Sequence, residues 1–355
     1  MTTAEMHLRA LARPPRRLLR RARSFLIGGA VILLYHRVHD ADFDPWLLGV
    51  SLKNFDDHMV HLRERYAVLS LAELSHALDR GRVPRAAVAV TFDDGYVDNL
   101  RNAKPILERH RVPATVFVTS GYVGARREFW WDELERVVLR APRVPERLTV
   151  TVRGTTHEWP TAAAQTMTLV ERLADVRWNV ERSDDPTPMH RAFREIHAVL
   201  AGLTAAEQDA AMADLRQQTG SSDAPRPENL AMSPEEVRTL AQGGLVTVGA
   251  HTVTHPVLSS LPPEVAAEEI SRSKSDLERI LGTPVTGLAY PFGYRGAYTD
   301  LNISDARAAG ITHAYSNFGS GTVRAAADRF QLNRILVRDW AGDDFARRLR
   351  SAFGD

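Results

Sequence analysis

Short apolar runs alternate along this chain with longer stretches whose apolar residues recur at helical spacing. Ala86–Phe92 (AAVAVTF) is rich in β-branched residues and predicts a buried strand; Val97–His110 predicts the helix after it. Pro113–Thr119 predicts the next strand. Ser233 begins a helix, with Pro234 in its first turn and Glu236 three residues after the cap. That helix closes at Gly243-Gly244 and leads into the strand Leu245–Ala250. Glu264–Leu281 is helical, carries Val265, Leu277, Ile280 and Leu281, and stops at Gly282. Further strands are predicted at Ala30–Tyr35, Val285–Tyr290, Ile311–Tyr315 and near Gln331–Val337. Strand, helix and strand repeated in this way predict a parallel sheet with right-handed crossovers.

The rhythm breaks between Arg126 and Leu230. Arg147–Trp159 reads as a hairpin turning near Arg153-Gly154. Met189, Phe193, Ile196 and Leu200 mark one helix, and a capping box at Thr204 and Glu207 opens another. The Pro-rich, polar Ser221–Asn229 reads as a linker. The organisation expected is therefore a tail over 1–29, a discontinuous barrel-sized unit over 30–125 and 231–355, and an insertion over 126–230.

Charge changes this picture mainly at the start of the chain. Arg9, Arg13, Arg16, Arg17, Arg20, Arg21 and Arg23 are opposed there only by Glu5, and the apolar run Phe25–Tyr35 follows. The pattern mimics a secretory leader but has no small-residue cleavage site and is too short to span a bilayer. It is read as a basic tail entering a first strand, in a cytoplasmic protein whose tail can make weak contact with a membrane surface. Over the whole chain 45 basic residues face 44 acidic ones, which removes the electrostatic case for a nucleic-acid partner. There is no cysteine, so any metal must be held by His and carboxylates.

Three strand ends carry candidate chemistry. Thr91-Phe92-Asp93-Asp94-Gly95 places two adjacent acids where Gly95 lets the chain turn sharply enough to present both. Taken alone, this is equally a helix cap for the segment after Tyr96. His251-Thr252-Val253-Thr254-His255 puts two imidazoles on one side of the chain, again after a strand. Two His and one Asp would leave an open position for water, the catalytic zinc arrangement. Ala289-Tyr290-Pro291-Phe292-Gly293 forms a defined turn that can aim a backbone N–H at an oxyanion.

The order TFDDG, HTVTH, AYPFG resembles the polysaccharide deacetylases of the NodB-homology class, the family-four carbohydrate esterases. Leu33-Leu34-Tyr35-His36-Arg37-Val38 and Phe129-Trp130-Trp131-Asp132 are similar to a bacterial branch of it. The resemblance spans roughly 30–125 and 230–340. It implies an α/β fold, a distorted (β/α) barrel of the NodB-homology type with a mixed helical and hairpin insertion. It implies hydrolytic removal of acetyl groups from an N-acetylated sugar in a glycan or glycoconjugate, by attack of a metal-activated water. Asp94, His251 and His255 would bind a divalent metal, Zn²⁺ first, and Asp93 would be the general base. The N–H near Phe292 would hold the oxyanion, with Tyr290 beside it. Trp130, and Trp131 next to it, would stack on a sugar or pack the insertion onto the barrel.

Two positions depart from the family pattern. Its third motif usually opens with an Arg that contacts the base, and Ala289 stands there. Its late Leu-x-His is replaced by Leu332-Asn333-Arg334, and Arg cannot donate the proton. His36, ending the first strand, is the candidate general acid in its place. His313 is expected mid-strand in the core, and His58 and His61 on a surface face of the helix Leu52–Tyr66. The alternatives are a catalytically lapsed carbohydrate-binding homologue and an iron(II) enzyme using the same two His and one carboxylate.

Overall fold

The computed structural model describes residues 29–319 and 321–354, so the basic tail read over 1–29 lies almost wholly outside them. Eight parallel strand segments form the barrel: β1 (Ala30–Tyr35), β2 (Ala87–Phe92), β3 (Ala114–Val118), β4 (Val246–Ala250), β5 (Gly287–Ala289), β6 (His313–Ser316), β7 (Leu332–Asn333) and β8 (Ile335–Leu336). Their order is β7-β6-β5-β4-β3-β2-β1-β8. The two ends of that path, β7 and β8, are separated in sequence by Arg334 alone. One stretch of chain therefore pairs with β6 on one side and β1 on the other and closes the ring. A short strand, Ala67–Val68, pairs alongside β2. The parallel sheet predicted by the alternating runs is observed, closed into the distorted barrel that the family resemblance implies. Every residue of β1, β2 and β3 is buried, because helices cover the outside and side chains fill the inside.

Several helix signals read as expected. Ser233 and Glu236 form the capping box of the helix Pro234–Ala241, and Gly282, at φ 70°, ends the helix Pro263–Leu281. The helix after β2 starts later and less regularly than the pattern suggests, with a π-helical turn over Asn99–Ala103 before the α-helix Lys104–His110.

Two histidines are placed differently from expectation. His58 is fully buried: its Nδ1 lies 3.2 Å from the Tyr35 hydroxyl and its Nε2 2.7 Å from the Trp340 carbonyl. The helix Gly342–Phe353 packs over the face that looked free, and Phe345 stacks on the His58 ring at 3.9 Å. His61 is half-buried against Phe345 and Tyr66. His313 opens β6 instead of sitting in its middle, and the Ser75 hydroxyl meets its ring.

Between 126 and 230 the hairpin strands Arg147–Val152 and Thr155–Pro160 pair antiparallel around Arg153 and Gly154, both at positive φ. The helices Pro188–Leu200 and Ala205–Thr219 pack with this hairpin and with Trp130–Leu134 around a second apolar cluster that includes Trp131, Trp178 and Phe193. This cluster reaches the barrel's carboxyl end through Tyr96 and Phe292.

Candidate active site

All the motif residues gather where the parallel strands end. After β2, Asp94 (φ 73°) and Gly95 (φ 88°) are both in the left-handed region, so the chain reverses at once and adjacent carboxylates face the same space. A side chain at 95 would also meet Val118, 3.0 Å from a Cβ built there. After β4, Thr252 and His255 are at φ 62°, giving the HTVTH loop a strained shape that must be held from outside. Glu269 of the helix Pro263–Leu281 holds it: its carboxylate accepts from the Val253 and Thr254 amides, 2.8 Å each, and from the Thr254 hydroxyl at 2.7 Å.

His251 has a fixed tautomer. Its Nδ1 is 2.8 Å from the Ala289 carbonyl, which can only accept, so Nδ1 carries the proton and Nε2 is left bare toward the acids. The carbonyl of the residue that replaced the expected Arg thus orients a candidate metal ligand. His255 is flanked by Trp131 at 4.6 Å and Phe292 at 4.9 Å between ring centroids. Trp131 in turn donates from its indole to the Tyr96 hydroxyl at 2.8 Å, and that hydroxyl donates to Asp132 at 2.6 Å. Burial pushes the Asp132 carboxyl up to about 7.

The ligand set fits a divalent cation. Asp94 Oδ1 lies 3.6 Å from His251 Nε2 and 3.5 Å from His255 Nε2, too long for hydrogen bonds. Tetrahedral ligands about 2.0–2.1 Å from a zinc ion would stand about 3.3–3.4 Å apart. Asp94 Oδ1 is buried and has no hydrogen-bond partner. Burial, and then the charge of Asp93, push the Asp94 carboxyl well above its ordinary value, as expected of an acid waiting for a cation. Among the described residues Asp94, His251 and His255 are the only such group of His and carboxylates.

Asp93 has the opposite environment. Arg334 grips it bidentately, Nη1 to Oδ1 at 2.6 Å and Nη2 to Oδ2 at 2.7 Å, and the Arg334 side chain is 0% exposed. Burial alone would raise the Asp93 carboxyl, but the Arg334 charge and hydrogen bonds, together with the neighbouring His251 and His36, outweigh it and hold the group below the usual carboxylate range. Arg334 is the residue between β7 and β8, and its Nε donates to Asn317 Oδ1 at 3.2 Å. Asn317 Nδ2 donates to the Phe292 carbonyl at 3.1 Å, which links the acid's partner to the AYPFG turn. Phe292 itself is at φ 60°, and its N–H has no hydrogen-bond partner among the described residues.

His36, directly after β1, is half-buried with an unpartnered Nδ1. Burial lowers its imidazole to about 4, with the charges of Asp93 and Arg334 the next influences on it. Trp130 is 3% exposed and packs on Trp131 and His197, so its packing role is the one observed. The Tyr290 ring is buried and stacked on Tyr298 at 3.8 Å, and its hydroxyl is influenced by Asp328 and Arg307. Only the backbone around Tyr290 thus belongs to the cluster, not its phenol. Sequence reasoning missed Arg334 as the Asp93 partner, Asn317, and the Glu269 clamp. For Arg334 the signal was the lone charge in an apolar strand; for Glu269, one acid among several on its helix, there was none.

A family model for polysaccharide deacetylases matches residues 80–180 and 199–314. A poly-β-1,6-N-acetyl-D-glucosamine N-deacetylase of Staphylococcus aureus strain MRSA252 is 31% identical over 124 residues, 31% of this chain and 41% of that protein. The chain thus spans about two fifths of the length of the curated relatives it matches. Among solved structures, Streptococcus pyogenes deacetylase PplD in complex with acetate is 18% identical with a TM-score of 0.54, covering 90% of this chain and 98% of that one. IcaB from Ammonifex degensii is 19% identical with a TM-score of 0.55, covering 92% and 97%. At these identities the two structures bear on the fold alone.

Proposed function

This chain belongs to the polysaccharide deacetylase family, and on that premise we propose that it hydrolyses the acetamide of an N-acetylated sugar in a glycan or glycoconjugate. Asp94, His251 and His255 hold a divalent cation, Zn²⁺ first, and Asp93 is the general base. The observation that carries the reading is the contrast between two adjacent acids: Asp94 lacks a counter-charge, whereas Arg334 keeps Asp93 ionised. One neighbour therefore needs a cation and the other is free to accept a proton.

When bound, such a cation polarises the amide carbonyl and brings the pKa of water toward about 7. Asp93, fixed by two hydrogen bonds, then removes the proton from the attacking water. The Phe292 N–H points its free hydrogen-bonding capacity at the oxygen that gains charge. Breaking the carbon–nitrogen bond requires that the same proton reach the leaving nitrogen. His36 is the relay: uncharged at rest, it takes the proton from the Asp93 side and delivers it to the amine. Arg334, permanently charged, cannot do this and instead sets the base.

The test is acetate release from N-acetylglucosamine oligomers by the metal-loaded protein. Release that stops with a chelator and returns with Zn²⁺ is the expected result; none from any N-acetylated oligomer contradicts the reading. For the relay, His36→Ala is expected to lower turnover by about 10²-fold or more with metal content unchanged. Turnover equal to the wild type would move that role to another residue.

A further inference from the structure

The AYPFG motif runs on without a break into Tyr294-Arg295-Gly296-Ala297. Gly293 (φ 60°) and Gly296 (φ 96°) let the chain turn twice within this short stretch. Its backbone is held from several sides. The Gly293 carbonyl accepts from the Asn317 amide at 2.8 Å, and the Tyr294 carbonyl accepts from the Ala297 amide at 3.0 Å. Ser259 donates from its hydroxyl to the Gly296 carbonyl at 2.7 Å and from its amide to the Ala297 carbonyl at 3.1 Å. Asn317 also joins Arg334 to the Phe292 carbonyl, so this turn and the Asp93–Arg334 pair share one support.

On this held backbone the Tyr294 side chain stands open. It is 49% exposed, and its hydroxyl makes no hydrogen bond among the described residues. No other aromatic residue among those described is so exposed. An exposed ring is ordinary by itself, and it is the position of this one that is informative. Phe292 packs on the candidate ligand His255 at 4.9 Å between centroids, and Tyr294 meets Phe292 edge-on at 6.3 Å. One or two linked pyranoses cover that span. The Phe292 N–H, unpartnered among the described residues, lies just before Tyr294 in the same turn. Trp130 and Trp131, the aromatic residues expected to carry a sugar, are 3% and 5% exposed and are taken up in packing.

The face of a tyrosine ring carries partial negative charge. The C–H hydrogens on the flat side of a β-linked pyranose carry partial positive charge, so the two attract while both withdraw apolar area from water. A platform on a rigid turn adds this attraction without first having to be ordered. We propose that Tyr294 is a specificity-determining residue. Its ring carries the sugar adjoining the one whose acetamide meets the Asp94–His251–His255 cluster, and so makes the chain prefer oligomers to single sugars. The inference rests on the deacetylase reading for the identity of the ligand as an N-acetylated glycan.

Acetate release from N-acetylglucosamine and from its β-linked tetramers is measured with the metal-loaded full chain, and tetramer binding is followed by calorimetry. The wild type is expected to prefer tetramers in kcat/KM. Tyr294→Ala is expected to lower that preference about 10-fold, through a higher KM and not a lower kcat, and to weaken tetramer binding by a similar factor. Tyr294→Phe keeps the ring face and should retain both. A folding defect lowers turnover of both substrates alike, so the ratio between them is not imitated by misfolding. A wild type without the preference overturns the proposal, as does a preference or tetramer affinity that Tyr294→Ala leaves unchanged. Loss of the preference in Tyr294→Phe overturns it as well, because the hydroxyl and not the ring face would then be at work. Tetramer binding that depends on Tyr294 without any acetate release would keep the platform and remove the hydrolytic reading. Acetate release indifferent to Tyr294 would do the reverse.

Discussion

Replacing Arg334 with methionine is expected to lower turnover at neutral pH by about 10²-fold or more while bound metal stays in place. Among the described residues Arg334 is the only arginine or lysine paired with Asp93, and both side chains are almost completely buried. Without it, burial pushes the Asp93 carboxyl upward and the base enters the neutral range protonated. The rate should then recover in part as pH rises, so the pH–rate profile moves to the alkaline side. Arg334→Lys, keeping one charge but losing the two-point grip, should fall between methionine and wild type. Removing one partner of such a pair also costs about 3–5 kcal/mol of stability, so thermal unfolding is followed alongside the kinetics. A methionine variant with a wild-type profile would mean that Asp93 is not the base, or that Arg334 does not set it.

Asp94→Asn is expected to act in opposite directions on metal and on stability. It removes a charged ligand, so metal binding and turnover are lost together. In the metal-free protein, however, it relieves a buried carboxylate with no counter-charge beside a second acid. The variant should be more stable than metal-free wild type at neutral pH by about 1–3 kcal/mol. The sign with pH follows from the direction of the shift. A carboxyl whose folded-state pKa is raised favours the fold below its ordinary range, about 4, and loses that contribution as pH rises through the folded value. The stability gap between variant and metal-free wild type should therefore widen from acid toward neutral pH. Denaturant melts at several pH values measure it, and a gap that closes instead would show that Asp94 is not the uncompensated charge.

Much of this arrangement could be read from the chain because each part is local. The strands at Ala30–Tyr35, Ala87–Phe92 and Ala114–Val118 are short β-branched runs, and the acids and imidazoles follow strands directly, so direction alone delivers them to one end. What escaped depends on contacts between distant segments. Arg334 reaches Asp93 across 241 positions, and only the closure of the barrel through β7 and β8 puts it there. Read along the chain, the missing Arg at 289 and the Arg in place of a late His look like two losses. In space, one residue supplies the base's partner from a different strand, and the Ala289 carbonyl takes up His251 instead. His58 was misplaced for a similar reason, since amphipathic spacing shows one buried face and cannot show that a C-terminal helix covers the other. Trp131 against His255 likewise needed the fold of the 126–230 segment, whose sequence carries no sign of which barrel loop it meets.

The proposed chemistry needs a cation held by Asp94, His251 and His255 next to an ionised Asp93. Elemental analysis of the purified protein beside Asp94→Asn and His251→Ala tests this without any assumption about the sugar. About one zinc-like ion per chain, absent from both variants, is the predicted result. Iron in its place would favour oxygen chemistry at the same residues. A wild-type chain that takes up no divalent metal even after reconstitution, or variants that keep it, would contradict the account.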